Sequence, residues 1–197
     1  LRLCGSKPAR HGPALLVGHS DGGRLRAAPQ EAQQIATLLA DKHEVRCLLE
    51  TDATAAAISA LLPDCGLLHF AGHAVFRPDN PRFSWLRLDG GRLAIIDLEQ
   101  LTLRGNPLVV LSACETGRGL PRGGGLLGMG RALMAAGASA LIVSLWQIVD
   151  ASAAAVMVDL YTHLHGAPAA ALCQAQRMAI VRGDHPAHWA GFICVAG

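Results

Sequence analysis

Cys114 and His73 are the residues of this chain best suited to nucleophilic chemistry. Cys114 closes the apolar run Leu108-Val109-Val110-Leu111-Ser112-Ala113 and is followed by Glu115-Thr116-Gly117, the pattern of a buried strand that ends in a thiol and a turn. His73 stands after Gly72, just past the strand pattern Leu67–Ala71. Ligands and catalytic groups of open α/β sheets collect at the carboxyl ends of strands, so two neighbouring strands would bring these residues to one edge. There the imidazole takes the thiol proton and the thiolate attacks a carbonyl. A free cysteine with a pKa of about 8.5 is only a few per cent thiolate at neutral pH, which is why a neighbouring base matters. The bland alternative is an inert buried cysteine beside a core histidine, since free Cys is among the most buried residue types.

Three other stretches invite chemistry and are weaker. Gly18-His19-Ser20-Asp21-Gly22 is a literal G-x-S-x-G, which in an α/β-hydrolase would make Ser20 the nucleophile of a serine esterase. That elbow requires an immediate strand-to-helix turn on a central strand, whereas here a polar loop follows the first strand and the next helical pattern begins near Pro29. A Gly/Asp/Ser turn is the plainer reading. The glycine-rich stretch Gly117–Gly125 lacks the G-K-[ST] of a phosphate cradle and the spacing of a dinucleotide fingerprint; a loop beside a site is the expectation. His69 and His73 as metal ligands lack a third donor at short range, so no metal is expected and His69 reads as a hydrogen-bonded residue within its strand.

The elements that must position these residues alternate between strand and helix, as in a parallel sheet covered on both faces. Strands are expected at Ala14–Val17, Glu44–Leu49, Leu67–Ala71, Leu108–Ala113, Ala140–Leu145 and Gly191–Val195. Ile35, Leu38 and Leu39 share a helical face behind Pro29 as first helical residue. Ile58, Leu61 and Leu62 do the same, with Thr51 or Asp52 as cap. Leu126, Gly130, Leu133 and Met134 mark a helix closed by Gly137; Met157, Leu160, Tyr161 and Leu164 mark another, and Pro168 suits the first turn of a last one. Trp85–Leu88 and Arg92–Ile95 flank Asp89-Gly90-Gly91 and read as an inserted β-hairpin at the rim of the site.

Composition narrows the class. The chain has 197 residues, of which 51% are hydrophobic and 16% charged, and this excludes a disordered segment. No stretch approaches the roughly 20 apolar residues of a membrane span, so no membrane partner is expected. Seventeen Lys and Arg against fifteen Asp and Glu leave a net charge of +2 without a basic stripe, which argues against nucleic acid as a partner. Six cysteines without a CxxC pair are too sparse for a disulfide framework or a structural zinc site; if Cys114 is a nucleophile, the other five remain as packing residues. The start at Leu1 rather than Met, and the absence of a signal-peptide pattern, fit a cytoplasmic segment of a longer protein.

His69-Phe70-Ala71-Gly72-His73, Leu111-Ser112-Ala113-Cys114-Glu115-Thr116-Gly117, Ser144-Leu145-Trp146-Gln147-Ile148-Val149-Asp150 and the closing His185–Phe192 resemble the CHAT domain, a relative of caspases and separases, from about Ala14 to Val195. The resemblance implies an α/β caspase-like three-layer sandwich: a mostly parallel central sheet flanked by helices, with an inserted β-hairpin. Residues 14–197 would form the domain and 1–13 an N-terminal tail or linker. It implies a cysteine endopeptidase with His73 as base and Cys114 as nucleophile, needing no cofactor, and with the amides of Gly72 and Cys114 as oxyanion hole. Asp150 and Trp146 would floor and wall a pocket for a basic P1 residue, with Glu115 also on the substrate side. Asp150 equally suits the cap of the helix that follows it. The implied partners are a protein or peptide substrate and regulatory domains in the same chain or complex, in a bacterial setting of defence or programmed death. A silent peptide-binding module is the alternative. Ala74 and Gly123-Gly124-Gly125 depart from the family pattern, which commonly has Gly and Gly-Glu-Gly there, and neither departure touches the dyad.

Overall fold

The computed structural model describes residues 10–75, 77, 79–115 and 124–196; at 81, 114, 115 and 124–129 the description is of the backbone. Along the chain the elements are β1 (Ala14–Gly18), α1 (Ala27–Leu39), β2 (Val45–Leu49), α2 (Ala55–Leu61), β3 (Leu67–Val75), β4 (Trp85–Leu88), β5 (Gly91–Ala94), α3 (Ile95–Leu98), β6 (Leu108–Glu115), α4 (Gly124–Ala136), β7 (Ala140–Ser144), α5 (Asp150–Thr162), α6 (Pro168–Arg182) and β8 (Phe192–Ala196). The sheet runs β2-β1-β3-β6-β7-β8, with the β4–β5 hairpin attached to β3. The first five strands of that path are parallel; β8 returns antiparallel, with Phe192 opposite Ser144 and Ala196 opposite Ala140.

Alternating side chains separate two apolar layers, as the period of two in a strand requires. Leu68, Phe70 and Ala74 of β3 and Val109, Leu111 and Ala113 of β6 pack with Ile58, Leu62, Ile95, Leu98 and Leu133 on the α2, α3 and α4 side. Leu67 and the β6 residues Leu108 and Val110 face Ile35, Val156, Met157, Leu160 and Leu172 of α1, α5 and α6. The near-continuous apolar runs of β1, β6 and β7 follow from this, because strands buried on both faces need no polar alternation.

The expected helices form, with corrected starts. Pro29 is the third residue of α1, not the first; the first turn of a helix has no intrahelical use for its N–H groups, so proline is tolerated throughout it. Neither Thr51 nor Asp52 caps α2: Glu50–Asp52 is a 3-10 turn, and Thr54, extended at φ −101° and ψ 155°, accepts the Ala57 N–H on Oγ1 at 3.2 Å. Gly137 closes α4 at φ +119°, and Pro168 opens α6. The cysteines divide differently from expectation, since Cys173 is exposed, and Cys47 is exposed as a residue although its thiol is partly covered. No helix of the described residues is long and apolar enough to cross a membrane.

One polar pair lies wholly inside the α1/α5 layer. His69 is fully buried with its Nε2 3.0 Å from Oε1 of Glu31 on α1, itself 1% exposed, and the contact is off-line for a hydrogen bond. The edge of the Tyr161 ring meets the His69 ring at 5.4 Å, so α5 closes over the pair. His69 is therefore held by a carboxylate from another element and not by its own strand. Burial, with the Glu31 charge adding to it, pushes the Tyr161 hydroxyl well above its ordinary pKa. Removing one member of such a pair strands a polar partner in the core. Glu31→Ala should cost about 3–5 kcal/mol in urea unfolding, and Glu31→Ala with His69→Ala should cost less than the sum of the singles.

Candidate active site

The carboxyl ends of β3 and β6 form a rim at which His73 and Cys114 stand, while His69 and Glu31 stay inside the α1/α5 layer. β3 and β6 pair through eight register positions from Leu67↔Leu108 to Ala74↔Glu115, and His73 and Cys114 are register partners. Neighbouring strands lie about 4.8 Å apart and register partners of a parallel pair share a face, so the two residues stand side by side on the face that α1 and α5 cover. Both strands run past their expected ends. β3 continues four residues beyond Ala71, so His73 lies inside the strand and not after it; β6 pairing on one side and the hairpin on the other carry the ladder that far.

On the other side of β3 the ladder changes partner at this point. β1 pairs with β3 up to Gly18↔Ala71, and β4 takes over at Ala74↔Leu86. Gly72 and His73 fall in the gap, which the loop after β1 enters: the His19 N–H donates to the Ala71 carbonyl at 3.0 Å. Gly72 has no room for a side chain, because a Cβ there would sit 2.8 Å from the Phe70 ring and 3.2 Å from the His19 carbonyl oxygen. The β1–α1 loop is tightly built. Asp21 adopts a left-handed φ of +51°, the Ser20 hydroxyl accepts the Gly23 N–H at 3.1 Å, and Glu50 accepts the Ser20 N–H at 3.2 Å. Eight residues separate β1 from α1, so Ser20 sits in a loop and not at a strand-to-helix elbow.

His73 is half-buried, and that burial is the main cause that lowers its pKa below the usual imidazole value; Asp21 opposes the shift while Arg87 and Arg24 add to it. A lowered imidazole is neutral at pH 7 and able to accept a proton. The thiols of Cys47, Cys65 and Cys194 are all raised by burial; Cys65, whose Sγ donates to the Leu61 carbonyl, is pushed up to about 11.

Asp150 and Trp146 arrive at the rim from the turn after β7. Asp150 is the first residue of α5 and Val149 its N-cap, so the carboxylate does not cap its own helix. Its Oδ2 accepts the Ala27 N–H at 2.6 Å and so caps α1. Trp146 is 39% exposed, donates its indole N–H to the Ala187 carbonyl at 2.9 Å, and lies over Gly191, where a Cβ would stand 2.8 Å from the ring. The C-terminal stretch is thus the support of that indole, and Gln176 of α6 binds it from behind through the Trp189 and Phe192 carbonyls. Glu115 ends β6 beside Cys114, and residues 116–123 of the glycine-rich stretch lie outside the described residues. Asp21, Arg24, Arg87 and Glu50 were not among the expected site residues. Among the described residues no group of His, Cys, Asp and Glu could hold a metal ion.

A mostly parallel sheet between two helical layers, with a hairpin at the rim, is the caspase-like architecture of gingipain cysteine proteinases. The crystal structure of the Arg-specific cysteine proteinase gingipain R (RgpB) superposes with a TM-score of 0.63 over 94% of this chain and 45% of its own, at 15% identity. The complex of Porphyromonas gingivalis RgpB pro- and mature domains gives a TM-score of 0.68 over 94% and 47%, also at 15% identity. At that identity the likeness is one of fold. The chain belongs to the CHAT domain family, whose model matches residues 1–197. Among curated proteins, tetratricopeptide repeat protein 28 of Mus musculus is 32% identical over 92 residues, and its Homo sapiens counterpart 29% over 92 residues. The match takes in 45% of this chain and only 4% of the length of each of those relatives.

The thiol environments predict a labelling pattern. Brief iodoacetamide treatment of the folded protein should modify the exposed Cys173 first, Cys47 more slowly because burial raises its thiol, and spare Cys65, as read by peptide mass spectrometry; rapid labelling of Cys65 would contradict its burial.

Proposed function

We propose that this chain is a cysteine endopeptidase in which His73 and Cys114 form the catalytic dyad. The observation that carries the reading is their register pairing at the carboxyl edge of two adjacent parallel strands, with an imidazole that burial keeps neutral. His73 takes the thiol proton of Cys114, and the thiolate attacks the scissile carbonyl. The oxyanion is held by the backbone N–H groups of Gly72 and Cys114. Collapse breaks the C–N bond as His73 gives its proton to the leaving amine. Water, deprotonated by His73, then hydrolyses the thioester and restores the thiol.

The P1 residue is basic in this reading. Asp150 binds Ala27 through one carboxylate oxygen, which orients the second for a substrate cation, while Trp146 forms the pocket wall and Glu115 adds negative charge beside the nucleophile. The substrate is a protein or peptide. Regulatory domains elsewhere in the same chain or complex control the cleavage; the tetratricopeptide repeat proteins, long chains of which the match covers a small part, support that arrangement. The setting is a bacterial cytoplasm, in defence or programmed death.

Cys114→Ala and His73→Ala should each reduce cleavage of a peptide library at least about a thousandfold while leaving the unfolding midpoint in place. Cleavage that survives Cys114→Ala overturns the peptidase assignment and favours a peptide-binding module. Asp150→Asn should lower kcat/KM for Arg and Lys at P1 by about tenfold to a hundredfold and leave neutral P1 residues little changed. An unchanged preference would reduce Asp150 to its role at the α1 terminus.

A further inference from the structure

We infer that Asp21 is a positioning residue for His73: from the break between β1 and β4 it supplies the negative charge that stabilises the imidazolium formed when His73 takes the Cys114 proton. The inference rests on the dyad proposed above and adds to it a carboxylate that sequence reasoning assigned to a turn.

The placement is specific. Gly72 and His73 are the two β3 residues between the last β1 register pair and the first β4 pair, and the chain that enters this break runs His19-Ser20-Asp21. Asp21 is only 9% exposed, which is unusual for a carboxylate unless it is paired. Its backbone is left-handed, an arrangement that non-glycine residues adopt at a cost, and the flanking contacts of Ser20 with Gly23 and Glu50 hold it there. Two cations meet the carboxylate, each at the long distance of 3.4 Å: Arg24 at Oδ2 and Arg87, from the hairpin, at Oδ1. Both guanidinium groups are largely solvated, with side chains 78% and 45% exposed, so they temper the charge without cancelling it.

The electrostatics agree with this geometry. Among the described residues Asp21 favours the protonated imidazole, and Arg87 and Arg24 oppose it. Further titratable residues near it are His19 in the same loop as Asp21, and Cys114 and Glu115 across on β6. The Cys114 proton moves to the ring, leaving a thiolate and an imidazolium; Asp21 lowers the free energy of that ion pair and itself stays ionised.

The test uses NMR titration of His73 in the Cys114→Ala background, which leaves the ring as the reporter. Asp21→Asn should lower the His73 pKa by about one unit, a tenfold change in the protonation equilibrium, and Arg87→Gln should raise it. Opposite shifts support the inference. Two shifts in the same direction would report a disturbed loop and overturn it, as would Asp21→Asn leaving the titration in place. If Asp21→Asn does not fold, Asp21→Gly, which suits the left-handed backbone at this position, decides: a downward shift supports the role, and none overturns it. With Cys114 intact, Asp21→Asn should also slow its alkylation at neutral pH by about tenfold. Alkylation that is unchanged in His73→Ala would instead defeat the dyad and leave the titration result standing.

Discussion

The parallel pairing of β3 with β6 carries the whole rim, because the faces of a strand alternate residue by residue. A slip of one residue would keep the backbone ladder and turn Cys114 to the opposite face from His73. Register is fixed by what lies below. Leu68, Phe70, Val109 and Leu111 are packed on one side, and Leu67, Leu108 and Val110 on the other, so a one-residue slip of β3 would drive His69 into the aliphatic layer around α2 and α4. The buried Glu31 makes that slip costlier still, since it has a partner only when His69 faces α1. A polar pair far from the chemistry thereby fixes which residues meet at the edge.

The same pair shows where reading a sequence stops. The order of strands and helices, the hairpin and most of the core were legible because they follow from periodicity, whereas His73 was expected past a strand end and lies within β3. Glu31 was not recognised, although it stands three residues after Ala28 and four before Ile35, on the inward stripe of α1. A charged residue in a helix is usually solvated, and only a buried complement three elements further along the chain, His69 on β3, reverses that expectation. Asp21 was hidden for a different reason. Gly, Asp and Ser in a row are turn residues on local grounds, and only the change of ladder partner along β3 gives the turn a neighbour.

Capping shows a third case. Asp150 before a run of alanines satisfied every local rule for an N-cap of α5, yet its carboxylate binds the terminus of α1. Helix termini leave their first N–H groups open to any acceptor in reach, and sequence proximity does not choose among them. The consequence is that the turn after β7 and the start of α1 are joined by one side chain.

The antiparallel return of β8 has a geometric outcome for the chain as a whole. Ala14, Leu67, Leu108, Ala140 and Ala196 form one row across the sheet, so the first strand starts and the last strand ends at the same border. That border is opposite the rim, about 20 Å of strand away from His73. A displacement at that border is separated by the length of β3 or β6 from the edge where His73 and Cys114 are register partners.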